Sequence, residues 1–278
     1  AGRIARNNSE NGSTNLVGNV TANLTLLKDL VIKSVFGVRY LEGRSSGFEP
    51  VYYETADIST LISTVNRSSS RSTDWTWDNI LTWNKKIGEK HELTAMGAIS
   101  AREYNFDTYS ASKQNVTIED KEFWYFDAAT SNPQNSGSGA SLAMLSYLGR
   151  FNYNLLGRYL ITGSFRADGS SRFLSNNRWG YFPSGAVAWK VSEENFFKNL
   201  GQNVVSSLKI RAGYGEIGNE NINSYYPYLT PIRQQQYYTL GESQIRVNGA
   251  GNASLGNPAV QWETAKQTNF GIDMMFLD

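Results

Sequence analysis

The stretch SYLGRFNYNLLGRYLITGSF, Ser146 to Phe165, alternates on both sides of a short break. Before the break, Tyr147, Gly149, Phe151 and Tyr153 (with Leu145 ahead of them) share one side of an extended chain. Ser146, Arg150, Asn152 and Asn154 share the other. After it, Tyr159, Ile161, Gly163 and Phe165 oppose Thr162, Ser164 and Arg166. A period of two marks a strand with unlike faces, because successive side chains point to opposite sides. The break, Leu155 to Gly157, is short enough for a tight turn, so the stretch predicts an antiparallel hairpin.

The pattern recurs. Leu16, Gly18, Val20, Ala22, Leu24 and Leu26 alternate with Val17, Asn19, Thr21, Asn23 and Thr25. Leu30, Ile32, Phe36, Val38 and Tyr40 alternate with Val31, Lys33, Val35, Gly37 and Arg39, and only Lys28 and Asp29 separate the two runs. Further apolar faces are Trp75, Trp77, Leu81 and Trp83; Leu93, Ala95, Ile99 and Ala101; Tyr181, Pro183, Val187 and Trp189; Leu208, Ile210, Ala212 and Tyr214; and Phe270, Ile272, Met274 and Phe276. Roughly nine strands result.

Charge sorts with the polar face: Lys33, Arg39, Arg102, Arg150, Arg166, Lys209 and Arg211 all stand opposite the apolar side chains. Lipid rejects such charges and a wet lumen accepts them, so these seven are expected to face the lumen of a transmembrane barrel. An ordinary sheet with one solvated face is the competing reading. Connection length separates the two. Short links at Lys28, Lys85–Lys90, Leu155–Gly157 and Val191–Asn203 alternate with long ones at Leu41–Arg71, Glu103–Ala140, Ala167–Arg178 and Gly215–Val260. Short turns on one rim and long loops on the other are the periplasmic and extracellular sides of an outer-membrane barrel. Trp75, Trp83, Tyr153, Tyr159, Trp189 and Tyr214 lie near strand ends, where interfacial aromatic girdles belong.

The fold class is therefore all-β, a section of an antiparallel transmembrane barrel occupying residues 1–278. A single-chain bacterial barrel closes with an even strand number, so an odd count leaves an edge that lipid does not tolerate. Further strands are expected outside this sequence. So is any targeting segment, because AGRIARNNSE lacks an apolar core. Composition agrees with these expectations. A net charge of +1 gives no field for nucleic acid, and 16 Tyr with 7 Trp suit strands that meet an interface. The mean hydropathy of −0.43 is compatible with a barrel, since every second strand residue can be polar.

Catalytic patterns do not hold together. Gly213, Gly215 and Gly218 form G-x-G-x-x-G, but the polar loop that follows gives no helix N-terminus for a pyrophosphate. Gly43, Ser45 and Gly47 match G-x-S-x-G in a predicted loop without an elbow. A single histidine, His91, and 0 cysteines exclude a credible zinc site, and no cofactor is expected. Glu193 and Glu194 fit the first turn of a short helix better than an acid/base pair. The long loops carry Trp124, Tyr125 and Phe126 in one, and Tyr225, Tyr226, Tyr228, Tyr237 and Tyr238 in another. Such side chains stack on sugars, grip peptides, or pack against other loops and a lid protein.

RADGSSRFLSNNRWGYFPS, Arg166 to Ser184, resembles a signature of the SusC/RagA-type TonB-dependent transporters. AVAWKVSEENFF (Ala186–Phe197), LKIRAGYGEIGNENI (Leu208–Ile222) and NPAVQWETAKQTNFGIDMMFL (Asn257–Leu277) follow in the order and spacing of that family. The resemblance implies a 22-stranded outer-membrane barrel with an N-terminal plug, energised through the TonB complex. It implies also a SusD-like surface lipoprotein as lid, and oligosaccharide or peptide substrates. No plug, TonB box or last strand is identifiable here, so the chain reads as a middle section of the barrel. Within the signature, Asp168, Gly169 and Ser170 are read as a turn-prone tip, and Trp179, Tyr181 and Phe182 as the start of a strand. The readings are thus an importer first, a soluble glycan-binding β module second, and a carboxylate glycosidase last.

Overall fold

The computed structural model of the chain describes residues 8–199 and 205–276. Its strands are β1 (Asn8–Leu27), β2 (Leu30–Glu49), β3 (Tyr52–Thr55), β4 (Ile58–Thr60), β5 (Thr64–Ile87), β6 (His91–Val116), β7 (Ala129–Leu155), β8 (Tyr159–Ser170), β9 (Trp179–Lys190), β10 (Val205–Asn219), β11 (Ile232–Leu240), β12 (Ile245–Asn252) and β13 (Glu263–Phe276). Nine form one antiparallel sheet in the order β1-β2-β5-β6-β7-β8-β9-β10-β13, while β3 with β4 and β11 with β12 make separate hairpins. The nine are the nine alternating runs of the sequence. The link Val191–Asn203 falls partly outside the described residues.

The strands outrun the alternation that predicts them. β6 has 26 residues and β7 has 27, or about 85–90 Å of extended chain, whereas a tilted crossing needs about 9–11 residues. Most of what reads as long loops is strand. β2 continues to Glu49, β6 to Val116, β8 to Ser170 and β10 to Asn219. These extensions carry mostly polar side chains with only scattered apolar ones such as Phe48 and Val116, so hydropathy marks them weakly, yet their backbone groups still pair along the ladder. Gly43, Ser45 and Gly47 accordingly lie in β2 and not in a loop. Gly213, Gly215 and Gly218 lie within β10, where no helix opens.

The short turns follow from backbone stereochemistry. Between β7 and β8, Leu156 (φ 59) and Gly157 (φ 67) both take left-handed conformations, and the Arg158 amide donates to the Leu155 carbonyl at 3.0 Å. That is a type I′ turn, whose twist matches the strands it joins. Between β9 and β10, Val191–Glu193 forms a 3-10 turn and Asn195–Asn199 a short helix.

The contacts divide the chain into two compact units. The first comprises Ala1–Val20, Gly37–Thr76 and Glu103–Ser141. Its core is small: Phe48, Val65, Val116 and Ala129 are buried, and Trp124, Phe126 and Ala128 pack against them. Trp124 stacks on Phe48 with ring centroids 4.8 Å apart. Asn115 adopts φ 62, a kink that redirects Val116 into this core, where the Val116 amide donates to Ser63 Oγ at 2.9 Å.

The second unit comprises Thr21–Phe36, Trp77–Arg102 and Leu142–Asp278. Its strand registers fix which side chains share a face. Tyr159, Ile161 and Phe165 stand opposite Trp189, Val187 and Pro183. Val187 and Trp189 in turn oppose Ala212 and Ile210, and Ile210 opposes Ile272. This apolar face is open: Phe270 is 82% and Ile272 61% exposed. The chain as a whole presents 19252 Å², where a soluble globular protein of 31.0 kDa presents about 12,000 Å². An exposed apolar face of this extent marks an interaction surface. On β9 the face runs from Trp189 to Tyr181, about 26 Å along the strand and roughly 20 Å across a bilayer at the usual tilt.

Candidate functional site

The opposite face of the second unit gathers charge. Arg150 opposes Ser164, and Arg166 opposes both Leu148 and Phe182. Arg211 opposes Ala188, and Lys209 opposes Lys190 and Asp273. Alternation along each strand carries these pairs onto one side. Asp273 lies 3.5 Å from Lys209 and 3.4 Å from Arg211, so one carboxylate serves two cations. Lys33 joins them, since its neighbour Ser34 bonds Asn79 at 2.9 Å and Trp77 at 3.0 Å on the apolar side. Arg102 is in phase with Ser100, which donates to Asp78 at 2.5 Å on the polar side. Arg39 lies in the first unit, where its Nε donates to Asn15 at 3.4 Å.

The signature segment is architectural in its geometry. Arg166 Nε lies 2.7 Å from each carboxylate oxygen of Asp168, and its Nη2 donates to Ser146 at 3.3 Å. The neighbouring guanidinium lets Asp168 be buried at 6% exposure inside β8. Asp168, Gly169 and Ser170 are therefore strand and not the tip, which runs from Ser171 to Arg178. The expectation of a turn there fails because Asp and Gly favour turns only when nothing pairs them. Phe173, 1% exposed, anchors the tip. Trp262 packs on it at 5.3 Å and on Phe182 at 5.5 Å, and Trp262 Nε1 donates to the Arg178 carbonyl at 2.9 Å. Arg172 donates to the Ile222 carbonyl at 2.5 Å and lies 5.2 Å from the Tyr225 ring. Trp179 and Phe182 do begin β9, as expected.

The loop aromatics divide by environment. Trp124 and Phe126 pack into the core of the first unit, while Tyr125 is exposed beneath the Arg67 guanidinium at 4.7 Å. In the second unit Tyr225 meets Arg172, and Tyr226 and Tyr228 precede β11. Tyr237 and Tyr238 are neighbours on β11, so they point to opposite faces of its hairpin. Both are half exposed, and Arg246 lies 3.4 Å over the Tyr237 ring. Tyr237 and Tyr238 therefore do not share one aromatic platform.

At the opposite rim is a residue whose role the sequence misassigns. Glu194 precedes the short helix, but its carboxylate turns back to the sheet. It accepts from Arg158 at 2.9 Å, Tyr159 at 2.6 Å and Trp189 at 3.1 Å. The Tyr159 hydrogen bond, followed by that of Trp189, holds its carboxyl below the ordinary range. Glu193 instead pairs with Lys198 at 2.9 Å. His91 Nδ1 meets the Tyr153 hydroxyl at 2.6 Å. Among the described residues no cluster of His, Cys, Asp and Glu could hold a metal.

This geometry has relatives. The family model described as TonB dependent receptor-like, beta-barrel matches residues 2–278. The TonB-dependent receptor P39 of Formosa agariphila is 32% identical over 252 residues, 90% of this chain and 23% of that protein. The TonB-dependent receptor SusC of Bacteroides thetaiotaomicron is 41% identical over 138 residues, 49% of this chain and 13% of that protein. Among solved structures, the RagAB peptide transporter superposes with a TM-score of 0.86 at 26% identity, covering 99% of this chain and 29% of its own. The chain thus spans between 13% and 27% of the length of the curated relatives it matches. A soluble module does not account for that match over nearly every residue. The chain belongs to the TonB dependent receptor-like β-barrel family, as a SusC/RagA-type section of a barrel in the outer membrane of a Gram-negative bacterium.

Proposed function

We propose that the complete protein is an active importer of oligosaccharides or peptides, and that this chain forms part of its barrel wall and outer loops. The observation that carries this reading is the separation of faces. Arg150, Arg166, Lys209 and Arg211 share one side of the sheet while Ile161, Val187, Ile210 and Ile272 share the other. Lipid takes the second and a water-filled lumen the first. On this reading Lys33, Arg39 and Arg102 line the lumen too, and β1 and β13 pair with strands beyond this chain, because an open edge has no partner in hydrocarbon. A SusD-like lipoprotein would close over the outer loops, and the TonB complex would act through segments not in this sequence. The half-exposed Tyr237 and Tyr238 are the best placed of the loop aromatics for substrate or lid. The role read for the chain is transport, as in the family it belongs to, and among the described residues its charges pair along a wall.

The chain has 0 cysteines, so single substitutions in the full-length protein test the faces directly. Cysteines at Arg150 and Arg211 are expected to react with a membrane-impermeant maleimide in intact outer membranes, and cysteines at Ile210 and Ile272 to resist it. The reverse pattern sinks the barrel orientation. Uptake of labelled oligosaccharide and peptide pools by cells with and without the full-length gene then decides the substrate. Uptake that survives collapse of the proton-motive force removes the active mechanism.

A further inference from the structure

The first unit holds a groove of about 760 Å³, and among its lining residues are Glu10, Gly12, Arg44, Arg67, Tyr109 and Tyr125. Its face of the sheet can be read from contacts inside that unit. A side chain at Gly37 would meet Thr76, one at Gly43 would meet Ser70, and one at Gly47 would meet Asn66. The pairing of β2 with β5 is therefore regular from Gly37 to Gly47. Odd positions of β2 and even positions of β5 share one face, and Val38, Tyr40, Arg44, Arg67, Ser69 and Trp75 share the other. Arg39 bonds Asn15, which puts Leu16, Val20, Gly12 and Glu10 of β1 on that second face as well. Leu16 is 61% and Val20 71% exposed there, but Val17 on the opposite face is as exposed, at 71%. It is composition that separates the faces: Leu16, Val20, Val38 and Tyr40 make the second one the apolar side. The groove thus opens on the side that carries the exposed apolar side chains, outside the wall and not in the lumen.

Height narrows the occupant. Gly12 stands four residues beyond Leu16, about 13 Å along the strand and about 10 Å above the apolar band at the usual tilt. A phospholipid head-group layer is only about 5–8 Å deep, so a lipid must carry an extended head group to reach the groove. The lining chemistry suits sugar. Tyr109 and Tyr125 are 59% and 57% exposed, giving ring faces for pyranose stacking. Arg44 is held by Glu42 at 2.8 Å, Glu10 by Lys121 at 2.7 Å, and Arg67 by the Tyr125 ring. Arg44 and Arg67 balance Glu10 and Asp127, which favours neutral hydroxyl-rich groups over free phosphate.

We propose that this groove binds the saccharide head group of a glycolipid in the outer leaflet of the surrounding membrane. The proposal rests on the orientation argued above, in which the apolar face meets lipid. Gly12 gives the test, because nothing lies within 4 Å of a side chain built there, and the same holds for Gly18 on the same strand and face. Gly12→Phe should plug the groove without displacing the fold, while Gly18→Phe adds only apolar surface in the band. Full-length protein is placed in nanodiscs of phospholipid with a diacyl lipid that carries a neutral tetrasaccharide head group, and the glycolipid retained per barrel is read by native mass spectrometry. Retention by Gly12→Phe is expected to fall at least about five-fold from wild type, with Gly18→Phe unchanged. Equal retention by Gly12→Phe overturns the proposal, and an equal loss in both variants overturns it as unspecific lipid contact. The delipidated saccharide should compete poorly, because lipid anchoring supplies the effective concentration. Equal binding of the free saccharide would make this a soluble-sugar site and overturn the membrane source. Cysteine labelling at Leu16 separates the two failures: labelling in intact membranes defeats the orientation, whereas protection with a silent Gly12→Phe defeats only this inference.

Discussion

Replacing Phe173 with alanine should unfasten the β8–β9 tip while leaving the sheet intact. Phe173 is 1% exposed and meets Trp262 at 5.3 Å, and Trp262 in turn meets Phe182 at 5.5 Å. Removing a buried phenyl ring costs about 3–5 kcal/mol, transfer and cavity together. The sheet contributes its own ladder, so the loss falls on the local opening of the tip. At 1.4 kcal/mol per tenfold, opening should rise by about 10² to 4 × 10³. The reporters are amides that the folded tip protects: Ser170 to the Arg178 carbonyl, Ser171 to the Ala143 carbonyl and Asn177 to the Leu174 carbonyl. Hydrogen exchange on the full-length protein in micelles should show these three accelerated by that factor, with β9 and β10 unchanged. Phe173→Leu should give a smaller effect, since it refills most of the volume. If exchange at the three amides stays within threefold of wild type in Phe173→Ala, the anchor reading is wrong.

Three further outcomes follow from the same packing. Arg172→Ala removes a charged hydrogen bond to Ile222 and the contact with Tyr225, about 2–4 kcal/mol together; exchange at the Ile222 and Leu229 amides should accelerate, and Arg172→Lys should restore little because the planar fork is lost. Leu156→Asn should stabilise the full-length barrel by about 1 kcal/mol in equilibrium refolding, since Asn-Gly tolerates the φ of 59 that Leu156 is forced into. Glu194 has its carboxyl held low by Tyr159 and then Trp189, so its stabilisation is full above the ordinary carboxylate value and fades as pH falls through the depressed one. The difference in refolding stability between wild type and Glu194→Gln should therefore persist at neutral pH and vanish in acid, and a difference that grows in acid would refute the rim assignment.

How much of this was legible beforehand depended on contrast between faces. Wherever one face meets lipid and the other water, alternation declares the strand. Tyr159 to Arg166 and Leu208 to Tyr214 were readable for that reason, as were the short turns beside them. Where regular alternation lapses, as from Gly43 to Glu49 or Glu103 to Val116, the same backbone pairing leaves little hydropathic trace, and strand passes for loop. The charged face was also legible, because a period of two needs no partner to be counted. Partners were not. Asp168 reads as a turn former until Arg166 and Ser146 stand beside it, and Glu194 reads as a helix-dipole acid until its carboxylate is seen to collect Arg158, Tyr159 and Trp189. The aromatic run Trp124 to Phe126 gives no hint that two of its rings are core and one is surface.

Sequence by itself determined the alternating wall, its two rims and the side on which charge belongs, since these are properties of a single strand and of the medium on each face. The tertiary structure alone decided which polar groups meet across strands, how far the strands rise, and that Glu10, Arg44, Arg67 and Tyr125 line one groove. Those facts depend on register and on side chains distant in the chain, which no local period encodes.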